Sequence, residues 1–290
     1  MYQIEKFNNN GMNVTRIINI SKDELDLDKT LKCGQAFRWN KVDNITWCGV
    51  IGQNVVLLAN MKFSDGEEGI ATNLDIDNAK CLIDYLDLNI SYTDEISKLK
   101  LDEFAVRAYN KGKGIHILRQ DLFEMIITFL MSQFNSMRNI TNIVEKLSKQ
   151  FGNKIKTEFN GKVYERYSFP TLEQLKDITE EQALSCSIGL RVKYLLPLLK
   201  RISNNLEILD KLRDADYNTA MKILMQFSGI GEKVANCICL FGLHHIQAFP
   251  VDIHIQRLIN EEYNGNINVN NYGSYAGIIQ QYMYYYKAFK

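Results

Sequence analysis

Residues 224–242 read LMQFSGIGEKVANCICLFG, a helical pattern interrupted by Gly-Ile-Gly at 229–231 and then resumed. Two helices joined by a tight glycine hairpin fit this stretch. Gly229 and Gly231 permit positive φ and close backbone approach, Ile230 plugs the turn, and unpaired N–H groups open the second helix. Amides and helix dipole together favour an anion at such a terminus, so it can hold a phosphate with few cations. A plain helix C-cap is written with the same letters.

Lys233 falls in the first turn of the second helix, where the dipole opposes its positive charge. An amine attacks carbon only when unprotonated, so that placement suits a nucleophile; a surface lysine on a phosphate is the other reading. Cys237 lies one helical turn further on the same face and either lines the same pocket or is a small buried hydrophobe. In AFPVDIH (248–254), Pro250 breaks the chain and Asp252 precedes an apolar-periodic helix, which makes it an N-cap. A carboxylate in that place also sits where cleavage of a glycosidic bond builds positive charge. His254, in the next turn, binds phosphate or packs.

Six cysteines at 33, 48, 81, 186, 237 and 239 lack paired spacing, which argues against a disulfide framework and a zinc site. No cysteine follows Cys239, so a C-terminal four-cysteine cluster is excluded. The four histidines lack metal spacing. Neither metal nor cofactor is expected.

Outward from the hairpin, helical periodicity covers DIDNAKCLIDYL from about 76, then 94–110, 119–134 and 137–152. It continues over 171–187, 191–204, 215–226, 253–263 and 271–288. Before it, NVTRIINI (13–20), AFRWNKV (36–42) and TWCGVIGQNVVLLANM (46–61) read as antiparallel strands. The expectation is an α+β protein: an N-terminal antiparallel β-sheet domain with flanking helices, 1–105, packed on a helical body, 106–290. Net charge is zero, but residues 1–105 carry 11 basic and 17 acidic side chains against 23 and 17 in 106–290. The second part is the one suited to a polyanion. No apolar run reaches a membrane span and no secretory signal is evident, so a cytoplasmic protein is expected.

At this point the chain resembles the helix-hairpin-helix DNA glycosylases, and within them the 8-oxoguanine DNA glycosylase/lyases. The resemblance rests on CGQAFRW (33–39), LRQDLFEMIITFLMSQFNS (118–136), IGLRVKYL (188–195), the hairpin, QAFPVDIH (247–254) and YGSYAGIIQQYMY (272–284), in the family's order. It implies a bifunctional base-excision-repair enzyme that binds double-stranded DNA and flips out the damaged base. Lys233 then attacks the deoxyribose C1′ and expels 8-oxoguanine, and the resulting Schiff base permits strand cleavage by β-elimination. Asp252 supports the developing oxocarbenium ion and orients the lysine. The Gly34 carbonyl accepts N7–H of the base, Cys237 stacks under it, Gln280 reads its Watson–Crick edge, and Tyr284 replaces a stacking Phe. The run YMYYY (282–286) is otherwise a packed helix face.

Gly229, Gly231, Val234, His254 and Asn135 are implied DNA contacts, with Phe134, Leu190 and Arg191 on the opposite-base side. Three of the family's opposite-base positions depart: the strand-separating Asn is Phe134, its Arg partner is Asn139, and the aromatic wedge is Leu190. Arg191 is retained, so weak discrimination of the opposite base is implied. A monomer acting at the nucleoid of a bacterial-type cell is expected. Two other readings are a monofunctional alkyl-base glycosylase, which needs no lysine, and a DNA-binding module without chemistry.

Overall fold

Residues 55–59, VVLLA, are buried at every position, the pattern of a strand covered on both faces. In the computed structural model, which describes residues 2–289, this run is the centre of a six-stranded antiparallel sheet. Its strands are β1 (Gln3–Asn9), β2 (Met12–Ile18), β3 (Asn40–Lys41), β4 (Trp47–Ile51), β5 (Asn54–Lys62) and β6 (Glu68–Thr72), ordered β1-β2-β6-β5-β4-β3. One face buries Ile17, Trp47, Val56, Leu58 and Ile70 against Leu27 and Leu31 of α1 (Leu27–Lys32) and Leu82 of α2 (Ile76–Tyr85). On the other face lie Val14, Ile18, Cys48, Val55 and Leu57. The cover there is a second hairpin, β7 (Lys154–Phe159) and β8 (Lys162–Tyr167), through Ile155, Phe159 and Tyr164. That hairpin was not among the expected elements, although Asn160-Gly161, both at positive φ, is a strong hairpin turn signal.

The contacts divide the chain otherwise than at 105 and 106. One compact unit holds residues 1–118, 155–166 and 281–290, and the other 119–154 and 167–280. In the first unit, the expected strand at 36–42 reduces to Asn40–Lys41, because α1, capped by Asp26, is followed by an irregular loop that carries Gly34 at φ +82°. Gln35, fully buried, holds that loop: its amide donates to the Thr30 (3.0 Å) and His116 (2.7 Å) carbonyls and accepts from Leu118 N (2.9 Å). His116 in turn stacks on Tyr92, whose hydroxyl donates to the Asp87 carboxylate at 2.6 Å. The expected helix at 94–110 is two, α3 (Tyr92–Ser97) and α4 (Glu103–Gly112), because Asp102 caps a new start.

The second unit is built around α5 (Leu122–Met131), buried on nearly every side, and α6 (Met137–Phe151). The expected 171–187 helix splits into α7 (Leu172–Leu175) and α8 (Glu180–Ser185), since Thr171–Gln174 and Thr179–Gln182 each form a capping box. Then come α9 (Val192–Asn204), an unexpected α10 (Glu207–Asp214) that buries Ile208 and Leu212, α11 (Tyr217–Leu224), α12 (Glu232–Phe241) and α13 (Ile253–Glu262). The expected helix at 271–288 is a 3-10 segment, Val269–Tyr275, kinked at Gly273, followed by α14 (Ala276–Ala288). Among the described residues no helix is long and apolar enough to cross a membrane.

Trp39 packs so closely on β4 that a Cβ at Gly49 would lie 2.3 Å from its ring. Gly49→Ala therefore lowers stability by about 1–3 kcal/mol, read from chemical denaturation; an unchanged midpoint would show that the ring moves freely aside.

Candidate active site at the hairpin

The α11–α12 turn is forced by contact. Gly229 adopts φ +85°, and a Cβ there would meet the Tyr194 ring at 2.6 Å, so both its conformation and its size demand glycine. Ile230 is buried as the plug, and its N–H bonds Phe227 O at 3.0 Å. Gly231 differs from expectation: its backbone is extended (φ −88°, ψ −178°) and a Cβ would meet nothing within 4 Å. Its contribution is to cap α12 without a side-chain acceptor, which leaves the first-turn amides open to an anion. The Val234 side chain is buried.

Lys233, half-buried, sends Nζ back to the end of α5. It donates to Ser132 Oγ at 3.3 Å and lies 5.9 Å from the centre of the Phe129 ring. Ser132 donates its own proton to Phe129 O at 2.7 Å, so only lone pairs face the amine. One turn beyond, Cys237 is buried, and burial pushes its thiol up to about 11. The charge of Lys233 and a hydrogen bond with it pull the thiol down, while the charge of Asp252 pushes it up, so all three groups share one electrostatic neighbourhood. Cys237 is a thiol at neutral pH.

Asp252 caps α13: Oδ1 accepts from His254 N (2.9 Å) and Ile255 N (2.8 Å), which leaves Oδ2 for another partner. His254 is half-buried behind it. The stretch before the cap is held by α14, where buried Gln280 donates to Pro250 O at 2.9 Å and Gly277 N donates to Ile246 O at 2.7 Å. A Cβ at Gly277 would lie 2.5 Å from Ala248 O. Ser132 and Gly277 are not among the residues expected from the sequence; the local signal of each is a small residue inside a block of family resemblance.

At the α5–α6 turn and the loop before α9, Phe134 is fully exposed at φ +46° and Leu190 is 86% exposed after Gly189 at φ +63°. Arg191 donates to the carbonyls of Gln133, Phe134 and Ile188. Asn135 likewise closes the end of α5 by donating to Met131 O at 3.1 Å. In the first unit, Gly34 sits on the loop clamped by Gln35, and the half-buried Tyr284 meets Phe289 edge-on at 6.5 Å. Tyr282 in the same run is core, packed on Tyr109 and against Gly112. Among the described residues no group of His, Cys, Asp or Glu is arranged to hold a metal ion.

An amine, a carboxylate with one free oxygen and an open helix terminus make a site for attack on a carbon that gains positive charge, next to a bound phosphate. Residues 17–126 match the family described as 8-oxoguanine DNA glycosylase, N-terminal domain. The N-glycosylase/DNA lyase of Saccharomyces cerevisiae is 31% identical over 274 residues, 87% of this chain and 72% of that protein. The chain belongs to the N-glycosylase/DNA lyase family. The enzyme is also similar to the solved Clostridium acetobutylicum 8-oxoguanine glycosylase/lyase in complex with double-stranded DNA containing cytosine opposite to 8-oxoG. The TM-score is 0.86 at 30% identity, over 98% of this chain and 97% of that one. A 3-methyladenine DNA-glycosylase from Archaeoglobus fulgidus shares the fold alone, at TM-score 0.68 and 20% identity. Family membership makes the enzyme a bifunctional DNA glycosylase and lyase of base-excision repair.

If Ser132 orients the amine, Ser132→Ala lowers the single-turnover excision rate by about 10-fold while duplex affinity stays within about 2-fold. An unchanged rate would remove Ser132 from the reaction.

Proposed function

We propose that the enzyme excises 8-oxoguanine from duplex DNA through an imine on Lys233. The observation that carries this is the electrostatic grouping of Lys233 and Cys237, one turn apart on α12, with Asp252 at the start of α13. The Nζ lone pair attacks C1′ of the flipped nucleotide, and the bond from C1′ to the base breaks with its electron pair going to the base, which takes up a proton. Opening of the sugar leaves an imine between Nζ and C1′, and loss of a C2′ proton then expels the 3′ phosphate by β-elimination. Oδ2 of Asp252 faces the charge that develops on the sugar. Cys237, held as a neutral thiol, offers a polarizable surface to the base and does not compete as a nucleophile.

Recognition rests on one acceptor. The Gly34 carbonyl is assigned to N7–H of 8-oxoguanine, a proton guanine lacks, and burying that acceptor without its donor costs about 1–3 kcal/mol. Support comes from the loop itself, which Gln35 fixes from both ends of its amide. Gln280 is assigned the Watson–Crick edge, Tyr284 a stacking contact, and the α12 amides with His254 the strand backbone. Acting on chromosomal DNA, the enzyme would work as a monomer in the cytoplasm at the nucleoid. Removal of alkylated bases without a lysine is the second reading, and the Lys233 contacts speak against it.

Borohydride trapping on an 8-oxoguanine duplex tests the chemistry. Wild type is expected to form a covalent adduct and cut the strand. Lys233→Gln loses both with binding kept, and Asp252→Asn slows excision by about 100-fold or more. Excision that survives Lys233→Gln would favour the second reading.

With Phe134, Asn139 and Leu190 on the opposite-base side, the partner base meets apolar and exposed groups and no cytosine-specific set. Excision rates opposite cytosine, adenine, guanine and thymine are therefore expected within about 10-fold of one another. A strong preference for cytosine would sink this part of the reading.

A further inference from the structure

One side chain joins the α5–α6 turn to the loop before α9. Arg191 donates from Nε to Gln133 O at 2.9 Å, from Nη2 to Gln133 O and to Phe134 O at 3.1 Å, and from Nη1 to Ile188 O at 3.4 Å. A guanidinium is rigid and planar and has only donors, and these bonds leave it a single uncommitted N–H. Paired donors, which reading a base edge requires, are not available from that arrangement.

The carbonyls it binds are informative. Gln133 O belongs to the peptide plane before the Phe134 Cα, and Phe134 O to the plane after it. Anchoring both planes on one flat group sets φ and ψ of residue 134. Phe134 has φ +46°, a region that bulky side chains avoid, and its ring is fully exposed, so no packing offsets the strain. The same turn carries Ser132, the hydroxyl that meets Lys233.

We propose that Arg191 is a positioning residue: it locks the backbone of Phe134 so that the ring stands ready to fill the stack vacated by the flipped nucleotide, whatever base remains opposite. The proposal rests on the base-flipping reading above. Its signature is indifference to the partner. Excision by Arg191→Lys and Arg191→Ala should fall by about 10- to 100-fold, equally opposite each of the four bases and opposite an abasic site, where a base reader would have nothing to read. Lysine does not rescue, because a point charge cannot fix two peptide planes.

Phe134→Gly supplies the second arm. Glycine takes the left-handed conformation unaided and has no ring, so adding Arg191→Ala to it should cost nothing further. Flipping is read without chemistry from 2-aminopurine beside the lesion, in a Lys233→Gln background that includes or lacks Arg191→Lys, with thermal melting as the folding control. Lower fluorescence on loss of Arg191 is expected. A rate loss confined to one opposite base and absent at the abasic site, full additivity with Phe134→Gly, or unchanged 2-aminopurine fluorescence would each overturn the proposal. A wild type that unstacks 2-aminopurine but never excises 8-oxoguanine would defeat the lesion reading and leave this one standing.

Discussion

The chemistry of the second unit depends on a missing atom. Gly229 has no Cβ, and a Cβ there would lie 2.6 Å from the Tyr194 ring. Because α9 presents that ring, the chain leaving α11 can approach only as glycine, and it must then reverse at once into α12. The reversal decides which residues fall in the first turn of α12. Gly231 caps it without a competing acceptor, and Lys233 in that turn reaches the end of α5, where a hydroxyl and an aromatic face receive it. A side chain at 229 would therefore displace the open head of α12 and the lysine's address together.

The groups around Lys233 are arranged so that each has one thing left to do. Ser132 has already given its proton to Phe129 O, so it can only accept. Asp252 uses Oδ1 for two backbone amides of α13 and keeps Oδ2. Capping and the proposed charge stabilisation are thus compatible in this residue, since capping uses one oxygen alone. Burial keeps Cys237 protonated even with an amine beside it, which suits a surface for a base and not a second nucleophile.

Legibility followed distance along the chain. The hairpin, its plug Ile230, the cap at Asp252 and the helix of Cys237 are local patterns, and they were readable because glycine, N-cap and period-3.6 signals act over a few residues. The capping boxes at Thr171 and Thr179 and the Asn160-Gly161 turn were equally local, yet a long periodic stretch and an unassigned gap hid them. Ser132 and Arg191 could not be read that way: the first meets Lys233 across 101 positions and the second meets Gln133 across 58. A resemblance identifies Arg191 as a residue of interest, but only geometry shows that four of its five donors already have acceptors. The alternation in AFRWNKV (36–42) reads as a strand, yet only Asn40–Lys41 forms one, because tertiary bonds from Gln35 hold the chain before it in a loop.

Backbone strain separates ordinary turns from functional ones here. Among the described residues, five of the eight non-glycine residues with positive φ are Asn or Asp, at positions 10, 19, 87, 160 and 264, whose short polar side chains suit that region. Phe134 is the one bulky hydrophobe among them, and it is also the most exposed large hydrophobic residue of those described. A residue in that conformation costs on the order of 1–3 kcal/mol, and an exposed phenyl ring recovers none of it by packing. Local propensity, burial and solubility all oppose phenylalanine at this position, and they oppose the 86% exposed Leu190 on the loop tied to it. Where several levels of preference are violated together and a guanidinium is committed to maintaining the violation, the gain has to lie in a complex the free protein does not contain.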